Sequence, residues 1–494
     1  MDRQVLRKIG IKKSIMKTQT QNSIGLNEGS KPPVAGGDRR SPAFRLPWLF
    51  FLVILTLQPV ARAQVQTPVV KRDPHYEKFW QDPEVEQRIR MGIQLNRMGF
   101  ATLRFVDAQS NALKNVEIKL EQTRHEFLFG CNLFMLEQFP SAGLNKRYED
   151  AFRSVFNLAI VPFFWRDLEP EPGKLRFAKD SAPIYRRPPP DLCVEFCKQH
   201  NITPKGHLLI WHQWLPNWLP DNHDEVKRLM IKRFEEIAAR YGKDIKYWDV
   251  VDEALYRPPA VPLPKDYVYT AMQEADRIFP RDAKLDIGDA EPLWKDFHLD
   301  SSPYYLMIHN LILRNARLDA IGLSFQTQFL QSQQYGVGLQ PLEMFRLLDQ
   351  YADFRRPIQL TQVTVPGLPA GAEGEKNQAE TVQNVYRLWF SHPNVEMINW
   401  WNLADGTAAP KENKWLPGLL REDLSPKPAF EVLQNLIRKE WWTTIQTNSG
   451  SSTNLKLQGF YGDYQLTVKH GGRTFEQKIH LTKGGNNQFE IQFK

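Results

Sequence analysis

Residues 247–254 read Tyr247-Trp248-Asp249-Val250-Val251-Asp252-Glu253-Ala254. The run is apolar, β-branched and short, and it ends on two adjacent carboxylates. A buried strand fits that composition better than a helix, which needs a longer periodic stretch. Helical periodicity precedes the run at 224–241 and follows it at 267–278. The same unit recurs along the chain. Eight short apolar runs occur at 127–134, 158–164, 204–212, 247–254, 284–291, 319–326, 358–366 and 397–403, with starts 31 to 46 residues apart. Further helical patterns fall at 304–316, 341–351 and 377–390. Strands that alternate with helices pair in parallel, and eight such units suit a closed α/β barrel, the (β/α)8 TIM barrel. The competing arrangement is an open, doubly wound sheet. No Gly-rich phosphate loop follows the first run, which counts against it.

The flanks differ from this rhythm. Residues 76–98 read as a helical lead-in, and residues 100–123 as two alternating strands joined by a turn from Asp107 to Asn115. That pattern predicts a β-hairpin extension. From 441 to 494 short alternating strands are punctuated by Gly and Asn. The expected organisation is therefore a lead-in and short N-terminal β extension over 64–125, the barrel over 126–440, and a small all-β module over 441–494. Aromatic residues at 459–464 of the module offer faces for sugar, although core and turn positions are their commoner use.

Residues 1–63 stand apart by charge. They hold 11 of the 64 basic and 3 of the 56 acidic residues, leaving 53 of each sign in the remainder. The excess of positive charge thus belongs to the N-terminal segment, and no basic domain is left to grip a nucleic acid backbone. The uninterrupted run 47–57 followed by Ala61-Arg62-Ala63 reads as a secretory signal with cleavage near Ala63. The expected location is secreted, periplasmic or cell-surface, with membrane association only if the signal stays uncleaved. The n-region is long, and Met16 offers an alternative start. Three cysteines, Cys131, Cys193 and Cys197, do not make a disulfide framework. Buried thiols are the expectation for the 193/197 pair, with a local bridge or a metal site as the alternatives.

The chemistry collects where the strands end, which is where a barrel of this kind builds its site. The third run ends in Gly206-His207-Leu208-Leu209-Ile210-Trp211-His212, the fourth in Asp252-Glu253 and the fifth in Asp289-Ala290-Glu291. The sixth ends in Gln326-Thr327-Gln328, the seventh carries Leu360-Thr361-Gln362, and the eighth carries Trp400-Trp401-Asn402. Flat aromatic faces beside carboxylates and amides suit a sugar ring, apolar on its C–H face and ringed by hydroxyls.

Taken together, Trp248 to Ala254, Gly206-His207 through Trp211-His212, and Leu215-Pro216-Asn217-Trp218 resemble the signature segments of glycoside hydrolase family 10, the retaining β-1,4-xylanases. The resemblance covers about residues 125–440. It implies a TIM barrel, xylan or a related β-glycan as the polysaccharide partner, no cofactor and no metal. It also implies Glu253 as general acid/base, with His207, Trp211, His212, Asp252, Asp289, Gln326, Gln328 and Trp401 at substrate-binding positions. A carboxyl at the end of a buried strand walled by aromatics can hold a proton to donate. Nothing calls for more than one copy of the chain, so a monomer is expected.

The resemblance also defines departures. The family's nucleophile is a Glu in a Thr-Glu motif, and here that position is Gln362. An amide is a poor nucleophile and supplies no anion to an oxocarbenium-like transition state. Asp252 stands where the family usually has Asn, and Gln328 where it has His. Phe163-Phe164 precedes Trp165 without the usual Asn, Glu and Lys, and 405–409 lacks the usual second Trp. Three readings follow. The chain is an endo-xylanase-type hydrolase in which another carboxylate, Asp289 or Glu291 ahead of Glu373 or Glu375, serves as base; or a catalytically silent barrel that binds β-glycan; or a surface interaction protein that uses its terminal β-module.

Overall fold

The computed structural model describes residues 75–255, 262–289, 294, 301–326 and 339–493. The signal-like segment 1–63, Glu291 and Gln328 lie outside the described residues. In chain order the strands are β1 (Met98–Val106), β2 (Glu117–His125), β3 (Leu128–Asn132), β4 (Leu158–Pro162), β5 (Thr203–Ile210), β6 (Tyr247–Val251), β7 (Lys284–Asp289) and β8 (Ala320–Gln326). They continue with β9 (Ile358–Thr364), β10 (Val395–Trp400), β11 (Thr444–Asn448), β12 (Asn454–Phe460), β13 (Gly462–His470), β14 (Arg473–Leu481) and β15 (Gln488–Gln492).

Strands β3 to β10 close into a parallel barrel, each of the eight falling on one of the eight apolar runs, with β10 pairing back onto β3. Parallel neighbours need a crossover, and helices supply it. Helix His223–Tyr241 joins β5 to β6, and Tyr267–Ile278 joins β6 to β7. Local signals set the helix starts. Asn222 accepts from the backbone N–H of Glu225, and Ser302 accepts from that of Tyr305 with Pro303 at the first helical turn. Strands buried on both faces explain why their sequences read as continuous apolar runs rather than alternation.

The expected β-hairpin is not formed. β1 pairs with β12 and β15, whereas β2 pairs with β11 and β13, so the two lie in different sheets. The three-stranded sheet β12-β1-β15 and the four-stranded sheet β11-β2-β13-β14 share one core built from both ends of the chain. It contains Leu103, Phe105, Ile118 and Leu120 from the first segment and Tyr464, Leu466, Val468 and Ile491 from the last. Alternation correctly identified the strands and their inward faces, but pairing is set by which strands complete that core. Phe460 and Tyr464, offered above as sugar platforms, are buried in cores. The base of the barrel is sealed by rings: Trp441 stacks on Phe390 at 4.1 Å and on Phe129 at 5.8 Å. Cys131, Cys193 and Cys197 are free and buried, and burial raises all three thiols, Cys197 to about 12.

Candidate active site

Three strands carry an extra residue near their C-terminal ends. The register of β5 against β6 slips between His207 and Ile210, and that of β6 against β7 between Asp249 and Val251. β9 slips against both of its neighbours between Leu360 and Val363. A bulge breaks the strict in/out alternation and re-aims side chains. Trp211 and its neighbours follow the slip in β5, Asp252 and Glu253 follow that in β6, and Gln362 lies within that in β9.

Glu253 sits at the turn out of β6 with φ of +48°. Left-handed backbone at a non-glycine residue costs about 1–2 kcal/mol, and such strain gathers at functional positions. Its carboxylate is held from the β5 side: Oε2 accepts from Trp211 Nε1 at 3.0 Å and from Gln213 Nε2 at 2.5 Å. The His212 ring lies 3.9 Å away, and burial lowers that imidazole to about 4, so it stands neutral at pH 7. A quarter of the Glu253 side chain is exposed.

The adjacent Asp252 turns the other way. Its Oδ2 accepts from Gln362 Nε2 at 2.7 Å, and the amide oxygen of Gln362 in turn accepts from Gln326 Nε2 at 2.5 Å. All three side chains are buried. Burial raises the Asp252 carboxyl above its ordinary value; the charge of Asp249 adds to this, while His207, Gln362 and the backbone N–H of Glu253 oppose it. Asp289 accepts from the backbone N–H of Leu255 at 2.8 Å, which ties down the turn just after Glu253.

An aromatic wall closes the β3–β5 and β10 side. Trp211 and Trp214 stack at 5.6 Å with 9° between planes. Phe164 meets both rings edge-on, as well as His207. Trp401, nearly buried, packs edge-on against His207 at 5.3 Å and Phe134 at 5.4 Å. The Arg187 guanidinium lies 3.8 Å over Phe164, and Arg166 lies 3.8 Å over Trp214. Below the wall, His207 Nδ1 bonds Asp249 Oδ2 at 2.7 Å, and Asp249 pairs with the buried Lys205 at 2.7 Å.

The structure thus gathers His207, Trp211, His212, Asp252, Glu253, Asp289, Gln326, Gln362 and Trp401 at the ends of β5 to β10. Of the alternative bases, Glu375 is engaged bidentately by Arg421, and Glu373 is an exposed residue in the first turn of helix Ala372–Ser391. Reasoning from sequence missed Gln213, Trp214 and the Lys205–Asp249–Asp286 cluster. Gln213 and Trp214 directly follow the segment 206–212 and were legible as its continuation. Lys205 was not, because a lysine before a glycine in an apolar run gives no sign of partners on other strands.

The sequence pattern of Glycosyl hydrolase family 10 matches residues 165–436. The chain belongs to this family. Endo-1,4-beta-xylanase B of Thermotoga neapolitana is 23% identical over 344 residues, which span 64% of this chain and 88% of that protein. Anti-sigma-I factor RsgI6 of Acetivibrio thermocellus is 22% identical over 394 residues, 77% of this chain but only 46% of the relative's length. Among solved structures, xylanase 10B from Thermotoga petrophila in complex with xylobiose aligns with a TM-score of 0.52 at 20% identity. That alignment covers 64% of this chain and 95% of the xylanase, and it establishes a shared barrel fold. The glycosyl hydrolase family and the barrel are therefore established together.

Proposed function

We propose that this protein is an exported glycoside hydrolase of the endo-β-1,4-xylanase type, acting on xylan or a related plant β-glycan. Glu253 is the proton donor. The observation that carries this reading is the placement of its carboxylate, partly open to solvent and held by Trp211 and Gln213 beside an aromatic wall. Family membership and relatives named endo-1,4-beta-xylanase support it. The sugar's C–H face would lie on Trp211, and its hydroxyls would bond the amides and acids of the rim.

Catalysis then differs from the family's double displacement. Gln362 is neutral, and both ends of its amide are occupied by Gln326 and Asp252. No glycosyl ester forms there, so water attacks the anomeric carbon directly as Glu253 protonates the departing oxygen. Such a single displacement inverts the anomeric configuration. The segment 1–63 is the export signal in this reading, and the exported protein works as a monomer without a cofactor.

A second reading, glycan binding without cleavage, is favoured by the same neutral Gln362. The test is release of reducing ends from xylan and of aglycone from an aryl β-xylobioside. The unmodified protein is expected to cleave and Glu253→Gln is not. If neither cleaves while both retain xylan affinity, binding without hydrolysis is the function. If Glu253→Gln cleaves as fast as the unmodified protein, the assignment of the acid is wrong.

A further inference from the structure

The hydrogen bond between Gln362 and Asp252 fixes where the charge of this site lies. An amide nitrogen only donates, so its 2.7 Å contact makes Asp252 Oδ2 the acceptor and the ionisable member of the Gln326–Gln362–Asp252 chain. The usual family arrangement, as implied by resemblance, has the amide on the fourth strand and the carboxylate on the seventh. In this chain the two groups have changed places across one hydrogen bond.

From this geometry we infer that Asp252 is the carboxylate partner of Glu253, acting as general base toward the attacking water. The inference rests on the hydrolase reading above.

Three observations converge on it. First, the two acids are adjacent in sequence but diverge in space. Glu253 is drawn toward the β5 side by Trp211 and Gln213, whereas Asp252 faces β7 and β9. Inverting pairs need a gap of about 6.5–9.5 Å for sugar and water, and side chains that diverge from a bulged strand end can provide it. Second, room is kept for Asp252. Gly288 on β7 has no side chain, and a Cβ there would lie 2.9 Å from Asp252 Oδ1. Third, the other described acids near the mouth have structural duties: Asp249 pairs with Lys205 and His207, and Asp289 holds the backbone of Leu255. The raised carboxyl of Asp252 makes it a stronger base than an ordinary aspartate, and the Gln362 amide donating to Oδ2 orients it.

The step balances without any further reagent. The water oxygen bonds to the anomeric carbon as the glycosidic C–O bond breaks. Asp252 receives the water proton, and Glu253 gives its proton to the leaving oxygen. Exchange with solvent restores both groups.

The test uses the purified full protein with an aryl β-xylobioside and follows the product's anomer by NMR. The unmodified enzyme is expected to release the α-anomer first; release of the β-anomer overturns the inference whatever the variants do. Asp252→Asn is expected to lose about a thousandfold in kcat with KM changed by less than about threefold. Asp252→Ala with sodium azide is expected to recover at least tenfold and to yield the α-glycosyl azide, a rescue that a merely structural aspartate would not give. If Asp252→Asn cleaves within tenfold of the unmodified rate while Glu253→Gln is dead, the hydrolase reading stands and this inference falls. The inference falls in the same way if azide rescues nothing. If the unmodified protein does not cleave at all, both fall.

Discussion

Replacing Lys205 by Met tests the foundation on which the site rests. The Lys205 side chain is 1% exposed and its Nζ lies 2.7 Å from Asp249 Oδ1 and 2.9 Å from Asp286 Oδ2, with Gln359 as a further partner. Burial pulls its ammonium down, but the two carboxylates outweigh this and the net shift is upward. Burial likewise pushes Asp249 up, yet Lys205 and His207 hold it well below the ordinary range, while Asp286 is raised by burial and by the charge of Asp249. Methionine is unbranched like lysine and one heavy atom shorter, so it keeps most of the packing while removing the charge and donors, leaving Asp249 buried without its main counter-ion. Breaking one partner out of a buried pair costs about 3–5 kcal/mol.

The pH dependence gives the sign. In the unmodified protein the depressed Asp249 contributes stability that is present above the unfolded value of about 3.9 and is lost as pH falls through its folded value. In Lys205→Met that carboxyl is raised instead, so the variant gains stability as pH falls from 7 toward 5. Denaturant unfolding followed by tryptophan fluorescence at both pH values measures the difference. A penalty of about 3–5 kcal/mol at pH 7 that shrinks at pH 5 is expected. A penalty under about 1 kcal/mol, or one that grows on acidification, refutes the reasoning.

Three further outcomes are expected. Ending the chain at residue 440 strips β1 and β2 of every paired strand, so the truncated protein should be insoluble or rapidly cut by protease where the full chain is not. Ellman's reagent should find no reactive thiol in the native protein and three after denaturation, because Cys131, Cys193 and Cys197 are buried and free; prompt native reaction would mean that β3 or the helix Pro190–His200 is open. Trp211→Phe keeps an aromatic face but removes the indole donor to Glu253, and a loss of about tenfold in kcat with little change in KM is expected, from the ~1.5 kcal/mol of one hydrogen bond to a charged group.

The eight barrel strands were legible because each is buried on both faces, which concentrates apolar residues into runs that punctuation and helices separate. All eight runs became strands. The helix starts at Asn222 and Ser302 follow an equally local rule, since a capping side chain acts within three residues. The mouth residues could be placed at strand ends for the same reason: position along a strand is a one-dimensional property. The failed hairpin marks the limit. Residues 100–123 announced two strands with inward faces, but their partners lie more than three hundred residues away, and alternation carries no address.

What the sequence determined by itself is thus the inventory: a (β/α)8 barrel, acids and aromatics at its strand ends, and a glutamine where the family places its nucleophile. What only the tertiary structure decided is the direction each group faces. Bulges in β5, β6 and β9 change the side on which residues emerge, so that Asp252 and Glu253, neighbours in the chain, look to opposite sides of the mouth. They also bring Gln362 against Asp252 across the barrel, where an amide must donate and a carboxylate must accept. Charge in an active site is a property of such pairings, and pairings between distant strands exist only once the barrel has closed.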